Sequence, residues 1–471
     1  MNNHTVLSPV TPVDRVAMPE RSPRRSDTLS MYQRGLIGWR LLKSRFFEWM
    51  QFDAVIVRKL AALAGMIVGT FLHRTNRRFP AFRVYGAVHR SGCSHLASRV
   101  IEERLRADRG FLAVYREHVD SLQPTTRTAR FFQDPTRLLG SLAIVVKAAT
   151  PDEKGVIIIL YSYAFPLFAK LFDVPAIAKR YHIVLEPSWA GYCDLDILCY
   201  TQYDFPVFVQ GYERRDEAFV GNTSANLVMI PTGNNWWADH RLFKPIPGIS
   251  KDIDIVMIAG WGAYKRHAQL FAALGTLRRK HITPKVLLMG YDLGLTKNDI
   301  LGLAKFYGVD DQIEWHENLS RDQVNFHLNR AKVNILWSRK EGQNRAVIEG
   351  MLAGVPCIMR EGHNYGDHYA FINGRTGCFS TEANLPETIA RMIDTHETYS
   401  PREWVMANMS CQRATQVVGE AVGRLARTRG ESFSGELAVK LNGLDSQSYW
   451  DDESGARFAD DYAILRTALR H

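Results

Sequence analysis

From Gly155 onward, short apolar runs alternate with amphipathic stretches, and this alternation constrains the fold more than any other feature of the chain. The first run is Val156 to Leu160, followed by the amphipathic stretch Phe165 to Lys179 and a second run from His182 to Leu185. Further runs lie at Pro206 to Val209 and Leu227 to Ile230. Strands that are apolar throughout are buried on both faces, so the pattern predicts a parallel sheet covered by helices. The regularity stops between Ile230 and Pro247, where Pro, Gly and Asn accumulate as they do in linkers. It resumes with runs at Ile253 to Ile258, Lys285 to Met289, Gln312 to Trp315, Val333 to Trp337 and Val355 to Met359. The fold class read from this is α/β, with two Rossmann-like doubly wound domains facing across a cleft. Ligands in such folds sit at the carboxyl ends of strands.

The 471 residues suffice for two to four domains. A composition 46% hydrophobic and 23% charged excludes disordered, collagenous and disulfide-framework chains. The six cysteines show no Cys-x-x-Cys spacing and read as buried apolar residues of a reducing compartment. The net charge of +10 is unevenly placed, because residues 1–110 hold 19 basic and 8 acidic side chains while the remainder holds 40 and 41. Any anionic surface is therefore met by the front of the chain.

That front begins with a polar, proline-containing tail, residues 1–30, which reads as disordered and lacks the apolar core of a secretory signal. On a helical wheel, Tyr32, Leu36, Trp39, Leu42, Phe46, Phe47, Trp49 and Met50 share one arc, with Arg34 and Arg45 opposite. A helix in a membrane interface and a helix packed on the protein's own core both fit this pattern. The run Leu60 to Leu72 follows, preceded by Arg58 and Lys59, and reads as a monotopic or buried segment in preference to a full span. A nucleic-acid role for Arg74, Arg77, Arg78 and Arg83 lacks a recognisable module, so no nucleic-acid partner is expected.

The site is read from the second domain. After the run Val333 to Trp337, Glu341 and Glu349 stand eight positions apart. On one helix they would be separated by about 80° of rotation and about 12 Å of rise. Placing Glu341 in the loop, with the helix starting near Asn344, turns its carboxylate towards the cleft. A helix N-terminus suits phosphate oxygens, and carboxylates suit vicinal hydroxyls, so the pair fits a nucleotide sugar.

This stretch resembles the Glu-x7-Glu motif of family 4 glycosyltransferases, retaining enzymes of the GT-B fold. Glu341-Gly342, Val347-Ile348-Glu349-Gly350-Met351 and Ala353-Gly354-Val355-Pro356 follow the family's order, as do Asn373 to Gly377 and the linker residues Ile230-Pro231, Gly233 and Asp239 to Pro245. The likeness covers roughly residues 225–430. It implies that Glu349 binds the nucleotide ribose and that Glu341 holds hydroxyls of the transferred sugar, beside the backbone of Gly342, Gln343 and Asn344. It also implies a basic pair after the first strand, where Lys265 matches the family lysine and Gly262 lies in the loop. Trp261 stands where an arginine is usual, the loop is a residue shorter, and Arg266 is the candidate replacement.

The domains expected are 1–30 as tail, 31–85 as a basic helical extension, 86–245 as the acceptor-side domain, 250–430 as the nucleotide-sugar domain and 431–471 as a helical extension. The function expected is transfer of a sugar from a nucleotide diphosphate donor to a saccharide or lipid-linked acceptor, in polysaccharide or lipopolysaccharide assembly. The alternative is a non-catalytic scaffold of the same fold in a membrane assembly. The expected setting is cytoplasmic and peripheral, with an anionic membrane surface met through residues 31–80. No metal or cofactor is expected; Asp194-Leu195-Asp196 reads as an acidic helix start, not as a metal motif. Ser188 to Tyr192 follows a strand end, where its aromatics either stack on a sugar or pack into a loop. His182, His240 and His267 lie near strand ends, and the sequence does not choose among them.

Overall fold

The computed structural model describes residues 29–362 and 369–470. The expected tail, residues 1–30, falls outside it except for its last two residues; Ser30 already caps the first helix, accepting from the Gln33 N–H. Two sheets carry the architecture. The first has β1 (Ala143–Lys147), β2 (Gly155–Leu160), β3 (Tyr181–Glu186), β4 (Val207–Gln210) and β5 (Leu227–Ile230), in the order β1-β2-β3-β4-β5. All neighbours are parallel except β1, which runs antiparallel to β2.

A sheet that steps always in one direction through right-handed crossovers keeps its crossover segments on one face. Here Ile157, Ile159, Ile183, Leu185, Val207 and Val209 pack with the intervening helices on that face. The opposite face, with Val156, Ile158, Val184 and Phe208, is covered by the helix Cys411–Thr428 through Cys411, Ala414, Val418 and Val422. That helix, read with the second domain, thus belongs by packing to the first. The C-terminal stretch follows it there, adding the hairpin β12 (Lys440–Asn442) and β13 (Gln447–Tyr449) beside its helices.

The second sheet holds β6 (Ile253–Ile258), β7 (Val286–Gly290), β8 (Ile313–Glu317), β9 (Ala331–Leu336), β10 (Cys357–Arg360) and β11 (Gly377–Ser380), all parallel, in the order β11-β10-β9-β6-β7-β8. The strand order reverses between β6 and β9, which places the loops after these two strands side by side. Entry into β11 requires glycine: Gly377 has φ +152°, and a Cβ there would lie 1.9 Å from the Cys357 carbonyl oxygen.

The front of the chain forms α1 (Met31–Glu48), a π-turn (Trp49–Asp53), α2 (Val55–Arg74) and α3 (Arg78–Ser91). Helix α3 crosses the boundary expected at 85/86, because Phe82 and Tyr85 are part of the first domain's core. Helix α2 lies against α3 through two glycines; a Cβ on Gly65 would meet Val88 at 2.5 Å and one on Gly69 would meet the Tyr85 ring at 2.4 Å. The remainder of α2 is open, with only Ala62 and Gly69 buried. It is long and apolar enough to cross a membrane, by length and composition alone. Helix α1 buries none of its residues.

One ion pair inside this frame is completely enclosed. Glu186, at the end of β3, and Lys440, on β12, both have no exposed surface and lie 2.8 Å apart. Asn234 and Asn442 donate to the same carboxylate at 2.9 and 2.6 Å. Burial pulls the Lys440 ammonium below the ordinary lysine value, and Glu186 pulls it back. Removing one partner of such a pair costs about 3–5 kcal/mol, because the other charge is left without compensation. Glu186→Gln is therefore expected to lower unfolding free energy by that amount at pH 7. The loss should shrink at pH 9, where the folded state sheds the orphaned proton before the unfolded state does. Denaturant titrations at the two pH values measure both effects.

Candidate functional site

Lys265 and Glu341 meet where the second sheet reverses. Lys265 ends the short turn Ala263–Lys265 after β6, and Glu341 lies in the loop after β9. Both are buried, and the ammonium donates directly to Glu341 Oε1. Ser338 Oγ donates to the same oxygen at 2.6 Å. The loop is fixed from below by Tyr369, whose hydroxyl donates to the Gly342 carbonyl at 2.8 Å. It runs into the helix Arg345–Leu352, capped by Asn344, whose Oδ1 accepts from the Val347 N–H at 3.0 Å. Free N–H groups and the positive end of the helix dipole thus lie beside a carboxylate and an ammonium.

The first domain closes over this loop. A Cβ on Gly342 would sit 2.7 Å from Trp189 Cα and 3.0 Å from the Ala190 nitrogen, so glycine is what lets the two backbones approach. The Asn234 N–H donates to Gln343 Oε1, and Asn235 Nδ2 reaches the Asn344 carbonyl at 3.4 Å. Between the domains lies a cleft of about 540 Å³, walled by Tyr161, Ser162, Tyr163, Ser188 and Trp189 on one side and by Tyr291 and Glu341 to Arg345 on the other. Its walls are the carboxyl ends of strands from both sheets, as parallel folds require.

Glu341, Gly342, Gln343 and Asn344 line this cleft, and Lys265 touches it through Glu341. Glu349 does not line it. Its carboxylate turns to Arg345 at 3.5 Å and Arg321 at 3.9 Å, on the side of the helix towards the linker. Gly262 and Arg266 face a separate cavity of about 210 Å³ beneath α1. Arg266 adopts φ +63° and pairs with Glu48 of α1 at 3.0 Å and with Glu382. Arg266, the candidate replacement for the missing arginine, is thus held by an acid of the N-terminal helix and by Glu382, and it does not line the cleft. Trp261 is fully buried and donates its indole N–H to Glu317 at 2.9 Å.

The alternatives left open for Ser188 to Tyr192 are each realised. Trp189 is 47% exposed at the cleft, whereas Tyr192 is buried and donates to the Gln210 carbonyl at the 2.5 Å limit of a short hydrogen bond. None of His182, His240 and His267 lines the cleft. Asp194 caps the helix Leu195–Leu198, accepting from Asp196 N–H at 3.1 Å. Residues the sequence did not single out include Arg345, whose guanidinium donates to the Asn442 carbonyl at 2.9 Å, and Arg127, Tyr161 and Tyr163 at the cleft wall. A signal for Arg345 was present in its place at the first helical turn after the Glu341 loop.

His267 packs its ring 5.4 Å from that of Trp261, and neither ring nitrogen has a partner. Burial, with Lys265 nearby, pushes its pKa down to about 3. The folded state then refuses a proton that the unfolded chain accepts below about pH 6.5, so stability falls as pH drops through that window. A His267→Gln variant is expected to lose about 2 kcal/mol less than the parent between pH 6 and pH 4, read from paired denaturant curves.

Residues 239–403 match the model of the family described as glycosyl transferases group 1. No curated protein matches the chain. Among solved structures it is similar to sucrose-phosphate synthase from Thermosynechococcus elongatus, at 17% identity over 58% of this chain and 73% of that one, with a TM-score of 0.45. It is also similar to HepE of Anabaena in complex with UDP and glucose, at 16% identity over 57% and 77%, TM-score 0.43. A third is TarM of S. aureus, at 14% identity over 54% and 52%, TM-score 0.42.

Proposed function

We propose that this chain, whose residues 239–403 match the model described as glycosyl transferases group 1, moves a sugar from a nucleotide diphosphate donor to a hydroxyl of a saccharide or lipid-linked acceptor. The observation that carries this reading is the Lys265–Glu341 pair at the mouth of the helix Arg345–Leu352, inside a cleft between two parallel-sheet domains. In the transfer, the bond from the anomeric carbon to the diphosphate oxygen breaks, the bond to the acceptor oxygen forms, and the acceptor proton is released. Positive charge develops on the sugar and negative charge on the leaving phosphate. Lys265 and the N–H groups of the helix start stabilise the phosphate, and donor hydroxyls take up the remaining acceptor positions of Glu341. The Glu341–Lys265 contact then loosens as each partner turns to the donor. Retention of configuration and placement in family 4 belong to the same proposal, as does a ribose contact for Glu349, which requires its arginine pairs to open.

The setting proposed is the cytoplasmic face of a membrane, in polysaccharide or lipopolysaccharide assembly. Trp39, Phe46 and Phe47 of α1 and Ile56, Leu63, Ile67 and Phe71 of α2 are all exposed. The two acids of this front, Glu48 and Asp53, turn inward to Arg266 and Arg339. What remains outward is apolar and basic, the chemistry of an anionic bilayer interface. A second reading, a donor-binding scaffold without turnover, draws on the burial of Trp261 where the resembled family carries a cation.

Screening nucleotide sugars for thermal stabilisation identifies the donor, since a ligand of the folded state raises its apparent stability. Transfer or donor hydrolysis is then expected to fall at least 100-fold in Glu341→Ala, in line with about 10²–10³ for lost transition-state contacts. Tight donor binding with no turnover across acceptors selects the scaffold. For the membrane, flotation with vesicles containing anionic lipid is expected to recover the parent at low salt and to lose the Trp39→Glu/Phe46→Glu variant. Equal recovery of both overturns the membrane assignment.

A further inference from the structure

The acceptor wall of the cleft holds an exposed cation that has no ion-pair partner among the described residues. Arg127, on the loop before the helix Ala129–Gln133, places its guanidinium carbon 3.9 Å from the ring centroid of Tyr163 and 5.9 Å from that of Tyr161. The two phenol rings are themselves stacked, 5.9 Å apart with 19° between planes. The other cations at the cleft are matched: Lys265 by Glu341, and Arg345 by Glu349 and the carbonyls of Asn442 and Gly443. Among the described residues no carboxylate pairs with Arg127. Asp445, on the turn of the C-terminal hairpin, faces the two tyrosines, and Arg130 faces Tyr163.

The backbone beneath this group is bent to present it. Tyr161 follows β2 with φ +70°, a conformation that non-glycine residues adopt at a cost and that gathers at functional sites. Two hydrogen bonds hold it there: its N–H donates to the Glu186 carbonyl at 3.0 Å, and its hydroxyl donates to the Leu444 carbonyl at 2.7 Å. Burial raises the pKa of both phenols, so they remain neutral donors. Stacked aromatic rings with a half-exposed Trp189 on the same wall suit the faces of sugar rings. A guanidinium laid on such a stack presents a planar fork of donors, the geometry that grips phosphate or carboxylate oxygens.

We propose that Arg127, carried on the Tyr161–Tyr163 stack, is the specificity-determining residue of an acceptor subsite for a saccharide bearing a phosphate or carboxylate. The inference rests on the cleft being a glycosyl-transfer site, and it assigns to the first domain an oxyanion contact separate from the donor diphosphate at Lys265 and Asn344. An acceptor's charge thus fixes its orientation, with a hydroxyl brought towards the donor carbon held by the opposite wall.

The test uses the full chain and three probes, glucose 6-phosphate, glucuronate and glucose, followed by ligand-observed NMR. Glucose 6-phosphate and glucuronate are expected to bind at least ten-fold more tightly than glucose. Arg127→Ala should remove that preference, and Arg127→Lys should restore part of it, since the point charge survives without the fork. Binding of only one anion still supports the subsite and identifies which oxyanion it takes. Equal binding of all three probes, or no binding of any, overturns the proposal. Nucleoside diphosphate binding, measured with UDP, GDP and ADP, is expected to be unchanged in Arg127→Ala; an equal loss there assigns Arg127 to the donor and overturns the subsite. If no nucleoside diphosphate binds the parent while glucose 6-phosphate does and Arg127→Ala removes that binding, the donor reading fails and with it the acceptor role, leaving Arg127 as an anionic-saccharide site only.

Discussion

A carboxylate cut off from water organises the centre of this molecule. Glu186 ends β3, yet its partners come from three different parts of the chain: Asn234 from the linker, Asn442 and Lys440 from the C-terminal hairpin, and Gln210 from β4 at 3.4 Å. A buried ion must be matched in charge and hydrogen bonds, so this group forces the linker and the hairpin into fixed positions on the first domain. Two of those partners continue across the cleft. Asn234 donates to Gln343, and the carbonyls of Asn442 and Gly443 accept from Arg345. The hairpin therefore grips the start of the helix that follows the Glu341 loop, and the domain spacing follows from the charge at Glu186.

The N-terminal extension joins the same two bodies from the other side. Helix α2 is packed on the first domain through Gly65 and Gly69, while α1 and the π-turn reach the second through Glu48–Arg266, Arg45–Glu382 and Asp53–Arg339. Arg339 also lies 5.0 Å over the Phe52 ring. The bend between α1 and α2 thus falls at the junction of the domains. Anything that holds the outer face of both helices also constrains how far the cleft opens.

Much of this was legible from the chain because the second-domain strands are continuous apolar runs and because a loop carboxylate followed by a helix cap has a recognisable order. The positions of β6 to β10, the loop placement of Glu341 and its neighbour Lys265 all follow from local pattern. Other features depend on partners that no local pattern reveals. Arg339 and Asp53 are 286 positions apart, and the interaction explains why an arginine beside the site turns away from it. The helix Cys411–Thr428 has an amphipathic pattern that fits either domain; the choice is made by the uncovered face of a singly stepped sheet, visible only once the strand order is known. Arg127 sits in a polar loop and gains meaning only from the tyrosines it stacks on.

The substitution at Trp261 follows from the same geometry. The region beyond this loop already brings the guanidiniums of Arg266, Arg339 and Arg360 within electrostatic reach of one another. That neighbourhood is already costly: the Arg360 pKa is pushed down to about 10, chiefly by burial and then by Arg339 and Arg266. Like charges drawn out of water repel by more than they do in it. A tryptophan in this place fills the volume against Trp315 and His267 and spends its single polar group on Glu317. The positive charge of this region is then supplied by residues that the N-terminal acids neutralise, leaving Lys265 as the cation joined directly to the cleft loop. A chain arranged in this way keeps the charge beside the cleft under the control of its own N-terminal segment, through Glu48 and Asp53.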